Sequence, residues 1–85
     1  MSQALSARFG LAVRQLRDAQ GWSQEELALR ADLNRSYLGE IERGCVMPSL
    51  ATVAKLAQAL DVSLPGLLVR CEMLQQAVPS RGMAV

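Results

Sequence analysis

The 85-residue chain is expected to fold as an all-α protein of five short helices, and three features of its sequence say so. Leu, Ala and Val dominate a hydrophobic content of 51%, whereas Phe9, Trp22 and Tyr37 supply the aromatic content, a mixture that favours helices packed on helices over a sheet. Apolar residues return at helical spacing. Residues able to cap a helix N-terminus, Ser23, Asn34, Ser49 and Ser63, precede successive periodic segments.

In the first helix, expected from Leu5 to Gln20, the residues Leu5, Phe9, Ala12, Val13 and Leu16 form one apolar stripe, and Gly21 ends it. The next start signal is WSQEEL: Ser23 as cap, Glu26 reaching back to complete a capping box, and Trp22 packing on Leu27 as a hydrophobic staple. The second helix then runs from about Gln24 to Ala31, burying Leu27, Ala28 and Ala31. Asp32 stands at a sharp turn, which Asp enters in the left-handed conformation more readily than most residues. Asn34 caps a third helix from Arg35 to Arg43, whose inward face holds Leu38 and Ile41 and whose stop is Gly44. A short helix, a tight turn and a second short helix make a helix-turn-helix.

After the loop CVMPS, a fourth helix from about Leu50 to Leu60 is expected to bury Leu50, Val53, Leu56, Ala57 and Leu60. Ser63 caps a fifth, which accepts Pro65 in its first turn because no intrahelical donor is lost there. Leu64, Leu67, Leu68, Cys71, Leu74 and Val78 cover an arc of this helix wider than one core contact needs. The expected organisation is one domain over residues 1–78, followed by a mobile tail over 79–85.

Composition also limits function. No apolar run approaches the ~18 residues that span a bilayer, and the opening MSQALSARFG lacks the apolar block of a signal peptide, so a cytoplasmic protein without membrane association is expected. Cys45 and Cys71 stand apart without a CxxC and there is no His, which argues against a metal site, a disulfide and histidine-based catalysis. With no Gly-rich phosphate loop either, neither an enzyme, a cofactor nor a small-molecule ligand is expected, and no catalytic residue is assigned. A net charge of +1 is weak for a protein that wraps a polyanion. Specific reading requires only a local positive surface, for which Arg8, Arg14, Arg17, Arg35 and Arg43 are available.

Three stretches, LRDAQGWSQEELA, SYLGEIERG and PSLATVAKLAQALDVSLPGLL, resemble the lambda-repressor-like helix-turn-helix proteins, which include phage repressors, Cro and the controller proteins of restriction-modification systems. The likeness runs from Val13 to about Leu68. It implies a five-helix DNA-binding domain in which Gln24 to Ala31 is the supporting helix and Arg35 to Arg43 the recognition helix. Gln24 would open the motif, Ala28 would let the two helices approach, and Leu38 and Ile41 would anchor them. Two positions depart from the family pattern: Asp32 replaces the usual Gly, and Val46 and Met47 occupy a loop that is often polar or basic.

A recognition helix reads base edges in the major groove mainly from its N-terminal part. Arg35 suits a bidentate contact to guanine, Ser36 can donate or accept, Tyr37 can bond a phosphate or lie on a thymine methyl, and Glu40 can accept from cytosine N4. The bland reading of the same residues is a solvated helix face. The resemblance implies backbone contacts from the N-terminus of the supporting helix, here Ser23 and Gln24, and from the residue after the recognition helix, Arg43, with Asn34 a further expected contact; a capped helix N-terminus favours phosphate. The resemblance adds Arg17, pairing with Glu42 and helping to hold a phosphate; an ion pair of no consequence at the surface is the alternative. Gly39 is either a tolerated small residue or a point of close approach. Leu67, Leu74 and Val78 are expected to pair across a two-fold axis, giving a homodimer on palindromic double-stranded DNA; the alternative is that they only close the core of one chain. The expected function is a sequence-specific transcriptional regulator, a repressor or controller. A protein-interaction or antitoxin-like module using the Cys45-Val46-Met47 loop, Met73 and the tail is the alternative.

Overall fold

The computed structural model describes residues 4–77, which form α1 (Leu5–Gln20), α2 (Gln24–Ala31), α3 (Arg35–Glu42), α4 (Leu50–Ala59) and α5 (Leu64–Ala77), with no strand among the described residues. The tail expected over 79–85, and Val78 with it, lie outside the described residues. Two helices stop one residue earlier than expected: Arg43 and Leu60 are the C-caps of α3 and α4. No single helix is long and apolar enough to cross a membrane.

Local chemistry defines the helix starts. The Ser23 hydroxyl accepts the Glu26 amide, Asn34 Oδ1 accepts the amides of Ser36 and Tyr37, Ser49 accepts Thr52, and Ser63 accepts Gly66. Each bond satisfies an amide that the helix itself leaves without a partner. The capping box at Glu26 takes a different form from the one expected. Its carboxylate turns along the helix to Arg30 at 2.7 Å, and the Arg30 guanidinium lies 4.2 Å from the centre of the Trp22 ring.

One device ends the first four helices. After α1 the amides of Gly21 and Trp22 donate back to the carbonyls of Asp18 and Arg17. Asp32 and Leu33 do the same after α2, Gly44 and Cys45 after α3, and Asp61 and Val62 after α4. The pivot residue is left-handed each time, with φ of 75° at Gly21, 56° at Asp32, 77° at Gly44 and 59° at Asp61. This is the Schellman arrangement. The replacement of Gly by Asp32 therefore leaves the turn geometry intact. Asp61 performs the same service unanticipated, because a lone Asp between apolar runs carries no distinctive signal.

The core is a cluster in which Phe9, Leu27, Leu38, Ile41, Leu56 and Leu67 are fully buried. Each such side chain contributes roughly 2 kcal/mol of transfer free energy. Helix α1 packs on α3 and α5, α2 on α3 and α4, and α4 on α5. Two residues expected inside are outside: Leu5 is 50% and Leu50 66% exposed. Both are the first residue of their helix, where no preceding turn exists to flank them. Leu67, expected at a dimer interface, is 0% exposed within one chain and has no surface to offer a second copy.

Candidate nucleic-acid interface

Helix α3 is short, and its two fully buried side chains, Leu38 and Ile41, lie in its central and C-terminal turns. The N-terminal turn is thereby left at the surface. Arg35, Ser36 and Glu40 are exposed, and Asn34 holds the start of the turn by accepting two amides. Tyr37 differs from the other three: it is half-buried and packs against the core, so its ring is partly structural and only its outer portion faces solvent.

Behind this turn lies a polar network joining three helices. Arg17 of α1 donates to both carboxylate oxygens of Glu42, from Nε at 2.7 Å and from Nη2 at 2.9 Å, and its Nη1 donates to the Trp22 carbonyl at 2.8 Å. Gln24, the first residue of α2, donates from Nε2 to the same Glu42 at 3.0 Å. The Glu42 side chain is 3% and that of Arg17 12% exposed, so this is a largely desolvated, bidentate pair and not the surface ion pair considered as its alternative. Hydrogen bonding with Glu42 holds the Arg17 guanidinium in its charged form to higher pH than usual, against the opposing effect of burial. The network fixes the N-terminus of α2 against the C-terminus of α3. All three guanidinium nitrogens of Arg17 are engaged within the protein, which makes it first a positioning group for Gln24 and Glu42.

Arg43 and Gln24 converge over Gly39. A Cβ at Gly39 would lie 3.1 Å from an Arg43 Nη1 and 3.9 Å from Gln24 Oε1. Gly39 thus leaves room for two polar side chains that lead from the motif toward solvent. Ser23, exposed, spends its hydroxyl on the α2 cap. Of the arginines expected to form a positive surface, Arg8 reaches the Cys71 carbonyl of α5 at 3.4 Å, and exposed Arg14 lies 3.9 Å from Asp18. The positive charge near the recognition turn therefore rests on Arg35 and Arg43.

At the dimer surface expected on α5, Leu74 is partly buried against the core. The apolar surface of α5 is carried instead by Leu68, Val69 and Met73, 39%, 51% and 59% exposed. Val69 and Met73, one turn apart, border a shallow depression with Gln15, Gly66, Arg70 and Leu74. Sequence reasoning also passed over Gly10 and Ala7, which meet the end of α3. An isolated Gly inside a helical pattern was the available signal for the first; nothing distinguished Ala7.

A family model described as helix-turn-helix matches residues 13–67. The chain is 41% identical over 69 residues to Control protein C.BamHI from Bacillus amyloliquefaciens, covering 80% of this chain and 85% of that protein. Among solved structures, the restriction-modification controller protein C.AhdI from Aeromonas hydrophila superposes with a TM-score of 0.71 at 47% identity, over 73% of this chain and 94% of that one. The master regulator for biofilm formation SinR, solved in complex with DNA, superposes with a TM-score of 0.67 at 39% identity, over 71% of this chain and 97% of that one.

Proposed function

Since the chain belongs to the helix-turn-helix family and is a DNA-binding transcriptional regulator, we propose that it reads a palindromic operator as a homodimer, with the exposed N-terminal turn of α3 in the major groove. The observation that carries this reading is the exposure of Arg35 and Ser36 on the first turn of α3, and of Glu40 one turn further on, while Leu38 and Ile41 anchor the helix in the core. Arg35 takes a guanine O6/N7 edge, Ser36 a neighbouring base, and Glu40 a cytosine N4. Tyr37, anchored by its buried side, presents its rim to a thymine methyl or a phosphate. Gln24 and Arg43, brought together over Gly39, contact the sugar-phosphate backbone, and the capped start of α2 at Ser23 offers its amides to a phosphate. Asn34 adds a backbone contact beside Arg35. Arg17 acts through Gln24 and Glu42, holding α2 at the spacing that lets both helices touch one strand.

Dimerisation is supported by the exposed apolar residues Val69 and Met73, one turn apart on α5. Two such chains place their recognition helices about 34 Å apart, one turn of duplex. The likeness to controller proteins supports a repressor or controller role. Selection of bound fragments from random DNA tests the reading. The expected product is an inverted repeat, with Arg35→Ala relaxing preference at one base pair per half-site and Arg43→Ala weakening all sequences alike. A wild type that binds selected and random DNA equally at moderate salt overturns it.

A further inference from the structure

We propose that Gly10 is a positioning residue for DNA reading: its missing side chain lets α1 lie directly on the last carbonyls of α3, and that seat sets the tilt of the recognition helix. The proposal rests on the function proposed for α3 and deepens it. A Cβ at Gly10 would stand 2.3 Å from the Ile41 carbonyl oxygen and 2.7 Å from that of Glu42. Both obstacles are backbone, so no change of rotamer relieves them. Gly10 is buried, and a glycine inside a helix costs ~1 kcal/mol relative to Ala. Helix α1 bears that cost at the one place where a methyl group would strike α3.

The seat lies against a capped helix end: the Ile41 carbonyl that faces Gly10 also accepts the Gly44 amide of the turn that closes α3. One turn earlier on the same face of α1, the Ala7 Cα lies 2.9 Å from the position a Cβ of Gly44 would take. Two turns later, Arg17 grips Glu42. Ala7, Gly10 and Arg17 thus clamp the C-terminal end of α3, while Arg35 and Ser36 stand exposed at its other end. Arg35 stands six residues from Ile41, about 9 Å along the axis. A separation of 2.3 Å must grow by about 1 Å to become an ordinary contact, and a shift of that size at one end of so short a lever moves the other end comparably. Productive contact geometry tolerates only about 0.5 Å.

The test compares Gly10→Ala with Val53→Ala, a core variant that removes buried volume from α4, a helix that packs on α2 and α5. Dissociation constants for the selected operator and for random DNA are measured at a temperature where circular dichroism shows each variant fully folded. Gly10→Ala is expected to lose about tenfold in the ratio of the two constants, the scale of one good base contact, while Val53→Ala keeps the wild-type ratio. A Gly10→Ala protein that discriminates as well as wild type overturns the proposal, as does a Val53→Ala protein with the same loss. Should Gly10→Ala not fold, Ala7→Leu, which presses on Gly44 at the same seat, is read by the same ratio; a wild-type value overturns the proposal and a comparable loss supports it. A wild type without preference overturns the proposed function itself, an outcome distinct from any in which wild type discriminates.

Discussion

At the scale of single residues, burial separates arginines that look alike in sequence. Arg17 pairs with a carboxylate that is 3% exposed, whereas Arg14 lies near Asp18 with both side chains more than 60% exposed. Arg17→Ala leaves the buried Glu42 carboxylate with the neutral Gln24 amide in place of a charge partner and is expected to cost about 3 kcal/mol, measured by urea unfolding. Arg14→Ala is expected to leave the midpoint unchanged. Because the Arg17 pKa is raised from an already high value, the guanidinium keeps its charge throughout the ordinary pH range, and on the alkaline side its contribution is lost only on passing far into alkali. The thiols separate in the same way. Cys45 is exposed and Cys71 buried, so a thiol reagent should modify one cysteine in the native protein and two in denaturant. Burial raises the Cys71 pKa above its ordinary value of 9.0. Above that pH the unfolded chain loses its thiol proton first, so stability should fall between pH 9.0 and the folded-state value, and Cys71→Ala should flatten that part of the melting profile.

At the scale of the element, the helices are too short to stand on propensity and depend on their ends. Eight residues are below the length at which an isolated helix persists in water, so α2 and α3 rely on caps and packing. Asn34 accepts two amides at the start of α3, and Asn34→Ala should cost about 1 kcal/mol of stability. It should also raise the dissociation constant for operator DNA, since the frayed turn is the one that reads bases. Asp32 accepts a left-handed conformation that Gly would adopt without strain. Asp32→Gly should therefore be neutral or stabilising by up to about 1 kcal/mol, and Asp32→Val clearly destabilising, as read from thermal midpoints. These ends were legible because Ser, Asn, Asp and Gly act within three or four residues of themselves. The capping box was misread for the opposite reason: Glu26 had two partners in reach, and the charged one, Arg30, took it.

At the scale of the whole molecule, the chain has spent its deepest apolar residues on one core and left a lesser face uncovered. Leu67 was expected to serve a second copy, and burial in its own chain overrules that; among the described residues of α5, Leu68, Val69 and Met73 are the large apolar side chains left exposed. Replacing Val69 and Met73 together by Lys should yield a species of 9.2 kDa in sedimentation at micromolar protein where the wild type sediments as a dimer, and should weaken operator binding sharply because each half-site is then held alone. A wild type that already sediments as one chain would remove the α5 face from the account. The arc on α5 was visible in sequence, but which of its residues point inward depends on how α5 turns against α1 and α4, and periodicity carries no information about that rotation.

What the sequence determined by itself is the order and the ends of the helices and most of the inward residues of α1 to α4, together with the polar turn at Arg35 and Ser36, because capping and amphipathic spacing act over short stretches of chain. The tertiary structure alone decided which polar pairs are dry, which leucines of α5 are used up, and that α1 seats itself on α3 through Gly10. Those outcomes depend on distances between residues far apart in the chain, such as Gly10 and Ile41 or Arg17 and Glu42, which are brought to contact by the packing of whole helices.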